Sequence, residues 1–235
     1  MSIAEKLITV AENQQRVYNK GYTDGYAKGE VESGGFLWQN VVNYDHLFFG
    51  VEFPTNTEIA LDISNHYLLK ESTESKRIPV INYAFANITG LTSVKIILNN
   101  SYPISMIGAF GSKNIQKVDL SEAPLIANAS YAFQYSNIEE VIGELDFTFS
   151  TSVKSMFEWC TSLTSVRFKK ETLALSISLN KSNRLTNESI QSIIDGLADL
   201  TDKTTQTITF GSTVGAKLTD TQKATITAKN WTLAY

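Results

Sequence analysis

An aromatic residue recurs at a nearly fixed interval through the middle of this chain, and that recurrence constrains the fold more than any other feature. Four segments, NYAFANITGLTSVKI, MIGAFGSKNIQKVDL, SYAFQYSNIEEVIGEL and VKSMFEWCTSLTSVRF, align on Phe85, Phe110, Phe133 and Phe157, at intervals of 25, 23 and 24 residues. A period of this size marks stacked repeats, each a small unit that cannot bury its apolar face alone. An apolar or small residue lies four before each Phe (Ile81, Met106, Ala129, Val153) and another one before it (Ala84, Ala109, Ala132, Met156). That spacing predicts one inward-facing helical turn. Leu91, Ile115, Ile138 and Leu163 come next, then Val94, Val118, Val141 and Val166 three further on, with Ile96, Leu120 and Phe168 two beyond. This in-out-in order predicts a short strand. Gly143 interrupts it in the third unit and reads as a bulge.

The flanks carry different patterns. Leu173, Leu175, Ile177 and Leu179 alternate as a strand region does. Thr186 is placed to cap a helix whose Ile190, Ile193, Ile194 and Leu197 share one face. A strand at Thr207 to Phe210, a capping box from Thr219 to Gln222 opening a helix to about Lys229, and a short strand at Trp231 to Leu233 complete an expected α/β cap. At the other end, Ile3, Leu7, Val10, Gln14 and Val17 follow the 4-3 rhythm of a coiled-coil seam. So short a helix is marginal alone, so it is expected to pack against copies of itself, a trimer being favoured, or against another protein. The expected organisation is 1–33 for oligomerisation or attachment, 34–78 as a β-rich region or degenerate first repeat, 79–180 as repeats, and 181–235 as the capping repeat.

Composition narrows the partners. Twenty Lys and Arg face 24 Asp and Glu, for a net charge of −4, which leaves no basic excess to neutralise nucleic-acid phosphates. No apolar run reaches the roughly 18 residues of a membrane span. Glu5, Lys6 and Glu12 interrupt what would be the apolar core of a Sec leader, so synthesis in a host cytoplasm is expected. His46 and His66 stand at no metal-ligand spacing, and Cys160 lies among apolar residues as a small hydrophobe. The acidic pairs Glu139–Glu140 and Glu144–Asp146 read as solvated faces of repeat strands rather than glycosidase carboxylates. With no nucleotide, zinc or nucleophile motif, the expectation is a protein that is not an enzyme and uses no cofactor or metal.

The Ala-Phe then Leu/Ile-x-x-Val-x-hydrophobic pattern, seen in Ala84–Phe85 through Ile96 and Met156–Phe157 through Phe168, resembles the BspA-like leucine-rich repeats, of the kind encoded by phages and prophages of gut Firmicutes. The resemblance implies an α+β leucine-rich-repeat solenoid, one short strand plus one helical turn per repeat, with an N-terminal helix and a C-terminal α/β cap. It also implies a scaffold for binding. Residues that vary between repeats include Tyr102, Tyr135 and Trp159, candidates for a binding surface that need not share one face. The function expected is a phage or prophage virion protein, a tail-tip, fibre or receptor-binding component. It would join other virion proteins through its N-terminal helix and recognise a host surface protein or glycan. A capsid decoration or head-fibre protein and a bacterial repeat adhesin are the alternatives.

Overall fold

The computed structural model describes residues 44–63, 79–98 and 102–235. The seam positions Ile3, Leu7, Val10, Gln14 and Val17 lie outside the described residues, as does the expected N-terminal helix. In chain order the elements are β1 (Glu52–Asp62), β2 (Thr89–Ile97), β3 (Ile104–Ser105), β4 (Lys117–Glu122), β5 (Ile126–Asn128), β6 (Glu140–Leu145), β7 (Ser165–Phe168) and β8 (Ile177–Leu179). Then come α1 (Asn187–Gly196), β9 (Gln206–Phe210), α2 (Ser212–Gly215), α3 (Asp220–Ala228) and β10 (Trp231–Ala234). The strands form three parallel sheets: a main sheet β1-β2-β4-β6-β7, a small pair β3-β5, and a C-terminal sheet β10-β9-β8.

Successive coils of chain stack through these sheets. Val94 pairs with Val118 and Val118 with Val141, and these three and Val166 are buried. The aligned aromatics are fully buried and stack face to face: Phe85 on Phe110 at 5.6 Å, Phe110 on Phe133 at 5.2 Å, Phe133 on Phe157 at 5.3 Å. Phe48 extends the column by stacking on Phe85 at 5.2 Å. Gly143 sits where the β6–β7 register shifts, at φ 103°, and a Cβ there would lie 2.8 Å from the Ser121 amide nitrogen. Only glycine takes that conformation and that approach without strain.

The expected α+β leucine-rich-repeat solenoid is overturned by what surrounds the phenylalanines. No repeat contains a helix among the described residues: helix is confined to three segments after Thr186, and parallel strand dominates. Each Phe instead sits in an arm of successive turns, such as Ala84 N to Ile81 O and Ala86 N to Tyr83 O. The cause is local. The residue two before the aromatic is left-handed in all five arms (His46, Tyr83, Gly108, Tyr131, Ser155), as is the residue two after it in four (Gly50, Asn87, Tyr135, Trp159). A left-handed residue every fourth position stops a right-handed helix from propagating. The amides thereby turned outward are satisfied by the next coil: Ile81, Tyr83, Phe85 and Asn87 donate to Ser105, Ile107, Ala109 and Gly111. The third arm is shorter. Ser112 folds back onto Phe110 O, which accounts for the 23-residue interval that follows.

At the C-terminal end the two sides of a coil exchange character. Where the main sheet would add another strand after β7, α1 packs instead, and where another arm would follow, β8 is extended. Thr186 caps α1 by accepting from the Ser189 amide. The α1 side chains then complete the sheet edge: Ser189 Oγ and Ser192 Oγ accept from the Val166 and Phe168 amides, at 3.2 and 3.1 Å. Gly196 lets the helix close on the strand, since a Cβ there would run into the Phe168 side chain. Thr219 and Gln222 form the capping box of α3. Substituting both Ser189 and Ser192 with Ala leaves two edge amides without acceptors, at about 1–3 kcal/mol each. Urea denaturation is expected to show a loss of that size for the double variant, even though Ala is the better helix former.

Candidate functional site

The molecule presents two contrasting long faces. The outward side of the main sheet is a mesh of charges that answer one another: Lys95 pairs with Glu122 at 2.5 Å and Asp119 at 4.0 Å, and Lys117 with Glu140 at 2.9 Å. Glu144 stands opposite Arg167 across the β6–β7 register. Asp146, almost fully buried, accepts from Lys169 Nζ at 2.7 Å and from Thr148. The sequence pairs Glu139–Glu140 and Glu144–Asp146 therefore do not converge on a shared site; Glu140 and Asp146 each hold a lysine of the neighbouring coil.

The arm side differs. Its left-handed positions form two columns flanking the buried Phe stack, and most of them carry bulky rings. His46 stacks on Tyr83, with centroids 5.0 Å apart. The Tyr83 ring in turn occupies the space over Gly108, where a Cβ would collide with it. Tyr131 lies under Lys154 Nζ at 5.6 Å. In the second column Tyr135 stacks on Trp159 at 6.2 Å with only 14° between planes, and Lys181 Nζ covers Trp159 at 5.0 Å. Beside that pair Gln134 Nε2 donates to Glu158 at 2.7 Å. Tyr135 is 56% and Trp159 45% exposed.

Two of the three candidate surface residues thus come together and the third does not. Tyr135 and Trp159 each follow their Phe by two residues and share one column. Tyr102 lies in the connection between β2 and β3, at another corner of the coil. The sequence reading weighed His46 only as a metal ligand and passed over Tyr83 and Tyr131, and with them Lys154 and Lys181. The signal for the rings was their offset of exactly two residues before each aromatic, visible once Phe48 joins the alignment.

The remaining candidates have structural surroundings. Cys160 is buried in a column of small hydroxyl residues: its Sγ donates to Phe133 O at 3.0 Å and lies 3.8 Å from Ser136 Oγ, while Ser182 Oγ donates to Cys160 O. Burial pushes its thiol up to about 12, which keeps it protonated and unreactive at neutral pH. His46 Nδ1 lies 3.5 Å from Asp45 on a half-exposed ring. Among the described residues no group of three or more His, Cys, Asp or Glu is placed to hold a metal ion, and no helix is long and apolar enough to cross a membrane. No protein-family model, curated protein or solved structure matches the chain.

Asp146 gives this region a pH dependence of defined sign. Burial pushes its carboxyl up, but the hydrogen bonds from Lys169 and Thr148 outweigh it and hold the group below the ordinary aspartate value. A carboxyl lower in the folded than the unfolded chain contributes stability above its unfolded value and loses it as pH falls through the folded value. Urea midpoints measured across the acid range should fall through that window in the native chain. In Asp146→Asn they should start lower at neutral pH and fall less steeply.

Proposed function

We propose that this chain is a recognition component of a phage particle, a tail-tip or fibre protein whose arm face binds a protein on the host surface. The observation that carries the recognition role is the choice of residue at the left-handed arm positions. Such positions cost an ordinary residue roughly 1–2 kcal/mol, Asn less and Gly nothing, and the chain uses those cheaper residues at Gly50, Asn87 and Gly108. At His46, Tyr83, Tyr131, Tyr135 and Trp159 it accepts the strain with large rings instead. Strain concentrated on partly exposed aromatics is what a binding face retains for contact rather than for folding.

The stacking supports a protein ligand over a glycan. Sugar rings pack on the flat face of an aromatic, and here Trp159 has its faces against Tyr135 and Lys181, Tyr83 lies against His46, and Tyr131 under Lys154. Beside the Tyr135–Trp159 pair stand the amide of Gln134 and the carboxylate of Glu158. Such a surface of rings with polar groups beside them suits a protein partner. The particle setting rests on the sequence: the heptad spacing of Ile3, Leu7, Val10, Gln14 and Val17 supplies an attachment or trimerisation segment ahead of the stacked coils.

The test compares the full chain with a Tyr135→Asn, Trp159→Asn double variant, in binding to host envelope preparations and in thermal unfolding. Relief at two left-handed positions offsets the roughly 0.5–1.5 kcal/mol of one stacked ring pair, so stability should change by no more than about 1 kcal/mol. Binding to a protein-bearing envelope should drop by about tenfold or more, and protease treatment of that envelope should abolish it. Undiminished binding by the variant, or binding that survives protease treatment, contradicts this reading. So does a native chain that binds no envelope and only assembled particles, which is the behaviour of a capsid decoration.

A further inference from the structure

One rung of the arm ladder is missing in the middle of the stack, and it lies at the foot of Tyr135. In three arms the residue two after the aromatic donates its amide to the residue one after the next aromatic: Gly50 to Ala86 O at 3.1 Å, Asn87 to Gly111 O at 3.2 Å, and Tyr135 to Glu158 O at 2.9 Å. By the same rule Ser112 should donate to Gln134 O. The third arm is short, however, and the Ser112 amide turns back to Phe110 O at 2.7 Å. Among the described residues nothing then donates to the Gln134 carbonyl. That oxygen belongs to the peptide leading into Tyr135, at a half-buried residue of the arm face.

The residue beside this gap is Gly111. A Cβ built there would meet Gln134 O first, at 3.4 Å, which is an ordinary contact, and its φ lies outside the left-handed range. The other four arms carry Phe49, Ala86, Gln134 and Glu158 at the same position. Among the described residues Gly111 is therefore the one glycine that neither backbone conformation nor close packing requires. Gly50, Gly90, Gly108 and Gly143 are left-handed, and Cβ atoms at Gly196, Gly211 and Gly215 would collide with Phe168, Asn183 and Tyr235. A glycine where other residues fit costs the fold conformational entropy. What it keeps is open approach to one carbonyl oxygen.

We propose that the Gln134 carbonyl is a contact for the partner protein, which fills the missing rung with a main-chain amide passing over Gly111. The inference rests on the arm face being the recognition face, and it names the partner's chemistry there: an N–H from a loop or strand laid beside Tyr135. In the intact rungs the equivalent carbonyl takes a main-chain amide at 2.9–3.2 Å, so the geometry for such a donor is already built. An amide that gives up water on docking needs an acceptor in return, and this oxygen supplies it.

The experiment measures binding of the full chain to the protein-bearing host envelope at low and at high salt, together with thermal unfolding, for the native chain, Gly111→Ala and Gly111→Val. Gly111→Ala should melt no lower than the native chain and bind about tenfold more weakly, and Gly111→Val should bind more weakly still. The factor separating Gly111→Ala from the native chain should be the same at both salt concentrations, because the donor is neutral. Unchanged affinity in Gly111→Ala overturns the proposal. A melting temperature below the native one overturns its premise that the fold does not need this glycine. A loss that disappears at high salt assigns the contact to a lysine or arginine and overturns the main-chain amide. The Tyr135→Asn, Trp159→Asn variant separates this inference from the reading it rests on. If that variant loses binding and Gly111→Ala does not, the carbonyl contact alone fails; in the reverse case the role of the rings alone fails. A native chain that binds no envelope overturns both.

Discussion

Everything in this structure hangs on how the arms satisfy their backbone. A turn-rich segment buried along one side of a stack would normally strand its amides, at a cost no ring packing could recover. Here alternate amides are aimed along the stacking axis by left-handed residues and meet the carbonyls of the following coil, so the arms are bonded coil to coil as the strands are. Both sides of each coil therefore advance by the spacing of parallel strands, about 4.8 Å. The Phe48, Phe85, Phe110, Phe133 and Phe157 rings stack because the backbone on either side leaves them no other offset.

A stack of this kind must also stop, and an open parallel edge invites pairing with another chain. The stop is chemical as much as steric. Helix α1 lays two serines, three residues apart, against β7, and their hydroxyls replace the carbonyls of a missing strand. The helix's own last carbonyls are met in turn: Lys229 Nζ donates to Leu197 O at 2.7 Å and lies within reach of Ile194 O and Asp195 O. Trp231 Nε1 closes on Ala198 O at 2.9 Å. One cap thus ends the main sheet, while the arm side is left to the separate sheet β8-β9-β10.

Much of this was legible in the sequence, and the error was specific. The interval between phenylalanines located the stacking unit, the alternation around Val94, Val118 and Val166 located the strands, and Thr186 and the Thr219–Gln222 box marked the starts of α1 and α3. The helical turn was misread because apolar residues four and one before the Phe fit a helix and a chain of i to i+3 turns equally well. Hydrophobic spacing reports which side faces inward, not the sign of φ. The deciding information lay in Gly50 and Asn87, two after their aromatic, and Gly108, two before its own, all left-handed. Their meaning was hidden because the other coils fill those positions with rings or, at Ser155, a serine. Tyr135 and Trp159 were singled out for being aromatic, while their shared offset from the Phe, which puts them in one column, went unused.

That substitution of rings for glycine and asparagine separates the two long faces functionally. On the main-sheet side each coil's charges are answered by the next, as with Lys117–Glu140 and Lys169–Asp146, so the surface has little left to offer a partner. On the arm side the backbone geometry is dictated by the stack, and the cheapest residues for it are small. Wherever a ring appears instead, the chain bears conformational strain while leaving apolar area in water, two costs with the same sign. Stacking of His46 on Tyr83 and of Tyr135 on Trp159 offsets part of this. A ring already stacked on its neighbour in the free protein leaves a docking partner less side-chain motion to arrest.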